Sequence, residues 1–159
     1  MLVDFNANLP RLIPAQGTNV YQFPGCSHFL NLPNGKCFYC SGGSSENPVE
    51  ANVAVSLTLF LCAMLNVCED DVMILSGYTR QVRNVGRRAR SKGLYTIRVK
   101  TVNVSQADDA PFVILSTEQT DGNQLGFMQA SAKTIVATSR QKTALYIVWN
   151  FESGHSWAL

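Results

Sequence analysis

Four side chains near the start of the chain are of the types that bind zinc. Cys26 and His28 form a Cys-x-His pair, and Cys37 and Cys40 form a Cys-x-x-Cys pair after eight intervening residues. Thiolate and imidazole groups are ligands that Zn²⁺ prefers in proteins. The segment around Cys37 and Cys40 is typical of a strand, however, and residues three apart on a strand point to opposite faces. We therefore expect no metal site, with zinc ligation by these four residues as the alternative.

Positive charge is concentrated in the middle of the chain. No acidic residue occurs between positions 71 and 108, and this stretch holds eight of the 13 Lys and Arg residues. Clustered basic side chains bind phosphates through bidentate hydrogen bonds and counterion release, which makes Arg87 and Arg88 candidate contacts to single-stranded RNA. Tyr78 and Tyr95 flank the stretch and could stack on bases. An acidic protein partner and a solvated helix surface are the alternatives.

The elements that must position these residues alternate between helices and strands after Glu46. Asn47, Pro48 and Glu50 supply an N-cap, a proline at the first helical position and an acid three residues after the cap. They predict a helix that is apolar on nearly every face and is therefore buried against a sheet. The pattern predicts helices over residues 48–67, 79–92 and 130–142 and strands over 72–75, 96–102, 112–117 and 144–149.

Continuous apolar strands joined by helices indicate an α/β fold with a mainly parallel sheet covered on both faces. Ligands are then expected at the loops that follow the strand ends. The segment before Glu46 differs, because four of the six prolines and the loop-like runs LPNGK and SGGSS lie there. We expect residues 1–45 to form an irregular N-terminal arm and residues 46–159 to form the α/β domain.

The overall composition excludes some classes of protein. Charged residues make up 15% of the 159 positions, against a typical value of about 25%, and 46% are hydrophobic. Disorder and a polyelectrolyte tail are excluded, and the low charge suggests a surface that a protein partner covers. The longest apolar run, residues 53–67, is interrupted by polar side chains, so we expect no membrane interaction. The odd number of cysteines, five, favours an intracellular location, cytoplasmic or nuclear.

Several motifs resemble, in order, those of the second RecA-like domain of superfamily 1 RNA helicases of the up-frameshift type. Glu50-Ala51 resembles the Glu-Ala pair of that family, and ILSGYTRQ (74–81) resembles its ILTPYxxQ. TVNVSQADDAPFVILS (101–116) resembles TVDxxQGxExDxVILS, GFM (126–128) resembles GFL, and ATSRQKTALYIVWN (137–150) resembles ALTRAKxxLxIVGN. The resemblance implies a RecA-like three-layer domain, the second motor domain of such a helicase.

The resemblance also implies roles for individual residues. Tyr78, Gln81 and Asp109 stand at positions that lie near the nucleotide in the family, and Arg140 matches the arginine that stabilises charge on the transferred γ-phosphate. Thr101 and Gln106 would face the junction between nucleotide and RNA.

The phosphate-binding loop of such helicases belongs to a separate domain. These 159 residues contain no GxxxxGK[ST] motif. The resemblance therefore implies no cofactor for this domain in isolation, and ATP with Mg²⁺ only when a phosphate-loop domain is paired with it.

Departures from the family pattern concentrate in the charged positions. Asn103, Ala107 and Pro111 replace an Asp, a Gly and an Asp, and Asp109 is one methylene shorter than the family's Glu. The last motif has also lost an Asp, an Arg and an Asn, whereas the apolar strands are intact. A site that depends on charge-assisted bonds does not survive such losses, so we expect a pseudo-enzyme in which Arg140 is a vestigial arginine finger.

Two functions therefore compete. The first is a degenerate helicase-like module that acts as a non-catalytic interaction domain in an RNA pathway, binding a protein partner and, as a candidate, single-stranded RNA. The second is the C-terminal motor half of an ATP-dependent superfamily 1 RNA helicase, which needs a separate phosphate-loop domain. The motif losses favour the first, and the retained Gln81 and Arg140 favour the second.

Overall fold

Helices and strands alternate through most of the computed structural model, which describes residues 19–23, 27–33, 35–118 and 131–150 of the chain. The helices are α1 (Pro48–Leu65), α2 (Thr79–Ser91) and α3 (Ser131–Thr138), and a 3-10 turn lies at Glu69–Asp71. The strands are β1 (Asn19–Phe23), β2 (Ser27–Asn31), β3 (Phe38–Cys40), β4 (Ser44–Glu46), β5 (Val72–Ser76), β6 (Arg98–Thr101), β7 (Ala110–Ser116) and β8 (Gln141–Trp149).

Six of these strands form one sheet in the spatial order β1-β2-β8-β7-β5-β6. Five neighbouring strands of this sheet run parallel, namely β2, β8, β7, β5 and β6, and β1 pairs antiparallel with β2 at one edge. In the middle of the sheet Ser76 at the end of β5 is paired with Ser116 at the end of β7. The short strands β3 and β4 form a separate antiparallel hairpin.

Helices cover both faces of the sheet. One core joins α1 and α2 to the side chains on one face, among them Leu57 and Ile74. The second core lies on the opposite face, where Ala137 of α3 packs with Leu115 and Leu145. The predicted three-layer α/β arrangement with a mainly parallel sheet is confirmed.

The first helix begins and ends as its sequence dictates. The Asn47 side chain accepts hydrogen bonds from the Val49 and Glu50 N–H groups at 3.1 and 3.2 Å, and Asn66 ends the helix in the left-handed region. By length and composition alone α1 could cross a membrane, but half of it is buried inside the protein. Its burial against the sheet, predicted from its apolar faces, is confirmed.

Two expectations from the sequence are wrong. The segment before Glu46 is not wholly irregular, because β1 and β2 belong to the main sheet and Leu30 and Leu32 are buried in its core. Pro33 follows the end of β2 and does not interrupt it. The helix expected over residues 130–142 ends at Thr138, because β8 already begins at Gln141. Residues 1–18, 24–26 and 126–128 lie outside the described residues.

Candidate functional site

Buried polar side chains meet where β5 and β7 end. Gln81, in the first turn of α2, donates from Nε2 to Ser116 Oγ at 2.9 Å and to the Asn47 carbonyl at 3.0 Å. Its Oε1 accepts from the Asn47 N–H at 3.0 Å. Gln81 therefore fastens the beginning of α1 to the carboxyl edge of the sheet through three bonds, all of them internal.

Two carboxyl groups share this buried network. Glu50 Oε2 accepts from Ser116 Oγ at 2.7 Å and from the Glu118 N–H at 2.9 Å. Glu118 Oε1 accepts from Ser76 Oγ at 2.6 Å, while its Oε2 has no hydrogen-bond partner. Glu118 also has φ of 56°, in the left-handed region that non-glycine residues rarely adopt. An unsatisfied oxygen and a costly backbone conformation at one residue mark this corner as energetically unfavourable.

Burial disfavours the charged form of both carboxyl groups. It raises the pKa of Glu50 to about 7, against the hydrogen bonds that Glu118, Ser116 and Asn47 donate to it. Burial, followed by the nearby Glu50 carboxylate, raises the pKa of Glu118 well above its ordinary value. Burial also raises the pKa of the Cys37 thiol, with smaller contributions from the two glutamates. The pair therefore holds at least one proton at neutral pH.

Most of this network was not predicted from the sequence. A helix cap and family motifs indicate Glu50 and Gln81, but they do not indicate Ser76, Ser116 or Glu118. A signal was present, because polar residues directly after two buried parallel strands meet at the same edge of a sheet. The burial of Glu118 has no such signal, because it depends on the backbone conformation that brings the Glu118 N–H to Glu50.

The structure does not bring the four candidate nucleotide residues into one place. Tyr78 and Gln81 follow β5 at the carboxyl edge, whereas Asp109 and Arg140 directly precede β7 and β8 at the amino edge. The two edges are separated by the length of β7, which is about 20 Å at about 3.3 Å per residue. Their separation follows from the parallel direction of the strands, and their nucleotide contacts stay a prediction.

Arg140 is held by neighbours within the domain. Its Nε donates to the Val136 carbonyl at 3.2 Å, and its Nη1 lies 3.8 Å from Asp109 Oδ1. The structure thus brings Asp109 and Arg140 together, as an ion pair with half of the Asp109 side chain exposed. An arginine with a carboxylate beside it has less positive potential to offer a phosphate.

The candidate residues at the junction with RNA lie on and after β6. Thr101 ends the strand, and its carbonyl accepts from the Val104 and Ser105 N–H groups at 3.1 Å. Gln106 is exposed in the following loop, which Lys100 Nζ braces by an ion pair of 2.6 Å to Asp108. Their contact with RNA stays a prediction.

The candidate RNA contacts on α2 differ in their surroundings. Arg87 is exposed and donates to Asn84 Oδ1 at 3.3 Å. Arg88 is partly buried, donates from Nε to the same oxygen at 2.8 Å, and reaches Asn52 of α1 through Nη1. Arg88 therefore joins two helices, and the binding of RNA by either residue stays a prediction.

We expect Arg88→Ala to lower the free energy of unfolding by about 1 kcal/mol, because it removes hydrogen bonds that link α1 to α2. Arg87→Ala removes the same charge from the exposed side of α2 and is expected to change it by less than about 0.5 kcal/mol. Urea denaturation of both variants measures the difference. Equal losses would show that the contact with Asn52 contributes nothing.

The four candidate zinc ligands are not assembled into a site by the described residues. Cys26 lies outside them, and within them no three His, Cys, Asp or Glu side chains are placed to hold a metal ion. His28 on β2 stacks against Tyr146 of β8, with ring centroids 5.0 Å apart, and burial lowers its pKa. Cys40 lies in β3 of the separate β3–β4 hairpin, and Cys37 directly precedes that strand.

The fold and the placement of these motifs define a class of protein. A mainly parallel sheet between helices, with a polar network at its carboxyl edge, is the arrangement of a RecA-like domain. Residues 12–152 match a family described as AAA domain, the helicase-like domain of up-frameshift-type superfamily 1 helicases. The chain belongs to this family.

A curated relative is similar over most of the chain. It is the human protein named NFX1-type zinc finger-containing protein 1, which is 29% identical over 113 residues. The match covers 70% of this chain but only 6% of the relative, so the chain spans a small part of that protein's length. The comparison supports a helicase-family module.

Proposed function

We propose that the chain is a degenerate helicase-like module that acts as a non-catalytic interaction domain in an intracellular RNA pathway. The proposal rests on the fate of the charged motif positions. Asp, Arg and Asn are absent from the last motif, and the remaining Arg140 is turned to Asp109 and a backbone carbonyl. The apolar strands that carry these motifs are intact and buried, as expected when packing is retained but catalytic chemistry is not.

The position of Gln81 gives further support. The resemblance implies that Gln81 lies near the nucleotide, but in this structure its side chain is fully buried and hydrogen-bonded to Asn47 and Ser116. An amide that reached a nucleotide would have to break these bonds and leave the buried Asn47 N–H unpaired, which costs about 1 to 3 kcal/mol. Gln81 in this structure positions α1 and does not offer a free donor.

The second candidate, the motor half of an ATP-dependent helicase, is favoured by the same Arg140 and Gln81, because both residue types are retained. In that case ATP and Mg²⁺ would bind between this domain and a phosphate-loop domain, and Arg140 would leave Asp109 for the γ-phosphate. Single-stranded RNA would then be the ligand of the basic stretch.

We expect the purified protein to release no phosphate from ATP above the level of its own Arg140→Ala variant, with single-stranded RNA present. The arginine that stabilises the transferred phosphoryl group is worth about 10³ to 10⁵ in rate where it acts, so its loss would be conspicuous. Steady-state phosphate release measures this, and Lys142→Ala, which removes an exposed positive charge two residues away, is the control. RNA-stimulated turnover that Arg140→Ala abolishes and Lys142→Ala retains would establish the motor alternative.

A further inference from the structure

A cleft of about 310 Å³ lies between α2 and the edge strand β6. Its aliphatic lining comes from Val82, Leu94, Ile97 and Val99. Gly86 also lines it, and apart from its chain neighbours and the adjoining backbone of its own helix, no atom of the described residues lies within 4 Å of the point where a Cβ would stand on this glycine. The cleft is therefore large enough for one or two apolar side chains.

Positive charge flanks this apolar lining. Arg83 and Arg90 both line the cleft from α2 and are exposed, and their side chains form no hydrogen bond or ion pair with any described residue. They are seven residues apart, which places them about 10 Å from each other along the helix axis. Arg80, by contrast, is paired with Glu46 at 3.2 Å. None of the described residues that line the cleft is acidic, and the Glu69 carboxylate beside Tyr95 accepts hydrogen bonds from the Tyr95 and Thr96 N–H groups, not from either arginine.

The strand beside the cleft has an unpaired outer side. β6 is the last strand of the sheet and pairs with β5 only, among the described residues. The Val102 N–H points inward to the Ser76 carbonyl, so the N–H and C=O groups of Val99, an odd number of residues away, point outward. Such an edge is a template for a further strand. The side chains of Ile97 and Val99 lie on the face that α2 covers, beside the cleft.

We propose that an extended acidic peptide segment of a protein partner adds to the outer side of β6. The inference rests on the proposed function, because it names the kind of partner that the interaction domain binds. On one face of an extended peptide, alternate side chains are about 6.6 Å apart. An aliphatic residue in the middle enters the cleft, and acidic residues two positions before and after it reach Arg90 and Arg83. The outward groups of Val99 supply the backbone hydrogen bonds.

The lining of the cleft favours a peptide over RNA. Stacking of bases needs aromatic side chains, and Tyr95 is the one aromatic residue among the described residues that line the cleft. The other uncharged side chains of the lining are aliphatic, and a polar ribose-phosphate backbone would not bury apolar area against them. The two arginines suit carboxylates, which accept bidentate hydrogen bonds from guanidinium groups.

The test uses a labelled synthetic peptide, Thr-Glu-Thr-Ile-Thr-Glu-Thr, and fluorescence anisotropy with the full chain at low salt. Its two glutamates and its isoleucine lie on one face of an extended strand. The control peptide, Thr-Glu-Thr-Ile-Glu-Thr-Thr, has the same composition but places the glutamates on opposite faces. We expect the first to bind at least about tenfold more tightly than the second.

Protein variants separate the cleft from general charge. Gly86→Leu fills the cleft and replaces a poor helix former by a good one, so the helix is preserved while binding falls by at least about tenfold. Arg83→Glu with Arg90→Glu is expected to abolish binding. Lys92→Glu with Lys142→Glu makes the same charge change at exposed positions outside the lining and is expected to weaken binding less than about threefold.

Three results would overturn the inference. The first is equal binding of the two peptides, and the second is unchanged peptide binding by the Gly86→Leu variant. The third is binding of a single-stranded oligouridine that is abolished by Gly86→Leu and by the charge reversals at Arg83 and Arg90, because this result would assign the cleft to RNA. A different result would contradict the proposed function, namely phosphate release that depends on Arg140. Peptide binding at the cleft is measured independently of phosphate release, so the two failures can be distinguished.

Discussion

Glu118→Gln is expected to raise the free energy of unfolding at pH 8 by about 2 to 4 kcal/mol and to change it by less than about 1 kcal/mol at pH 4.5. Glu118 is 2% exposed, Glu50 is fully buried, and the pKa values of both are raised by burial. Glutamine keeps an oxygen for the Ser76 hydroxyl and carries no charge, so it removes the penalty of ionising the pair.

The sign of the pH dependence follows from the raised pKa values. Below about pH 4.5 both glutamates are protonated in the folded and the unfolded chain, and they contribute no difference. Between about pH 4.5 and the pKa of about 7 that Glu50 has in the folded protein, the unfolded chain loses protons that the folded protein retains. The contribution of the pair to stability therefore falls as the pH rises through this window.

Urea denaturation at several pH values measures the difference between the variant and the wild type, which cancels the contribution of His28 and other titrating groups. Glu46→Gln is the control, because it removes a carboxylate that forms an ion pair with Arg80 and lies outside the buried pair. A Glu118→Gln variant that is no more stable than the wild type at pH 8 would contradict the burial of a proton-sharing pair.

Gln81→Ala is expected to lower the free energy of unfolding by about 2 to 4 kcal/mol. The side chain is fully buried, and its loss leaves the Asn47 N–H without its partner, removes one of two bonds to the Asn47 carbonyl and opens a cavity beside Ser116. Gln106→Ala is the matched control, since Gln106 is exposed, and its effect is expected to stay within about 0.5 kcal/mol. Thermal and urea denaturation measure both. Equal stability of the two variants would show that Gln81 does not hold α1 to the sheet.

The predictable part of the fold is the part in which hydrophobic pattern and local capping agree. The start of α1 follows from Asn47, Pro48 and Glu50, and the uninterrupted apolar run of β5 predicts a buried strand, which the structure bears out. The strand β2 was not predictable in the same way. Its pairing with β8 joins residues more than 100 positions apart, and the prolines around it indicate a loop.

The candidate site was predictable in its parts but not in its arrangement. Family motifs picked out Gln81, Asp109 and Arg140, but the direction of the parallel strands sends Gln81 to one edge and the other two residues to the opposite edge. The burial of Glu118 beside Glu50 depends on a backbone turn with positive φ, for which a glutamate gives no signal. Local sequence specifies the residue types, whereas long-range packing decides which of them meet.

Isothermal titration calorimetry of the chain with ATP and Mg²⁺ tests whether this domain retains the fold of the family without its nucleotide chemistry. We expect no saturable heat up to about 1 mM ATP, because Gln81 is bonded internally and Arg140 is paired with Asp109. Saturable binding with a dissociation constant of about 10 µM or tighter, weakened by Arg140→Ala and unchanged by Lys142→Ala, would contradict it.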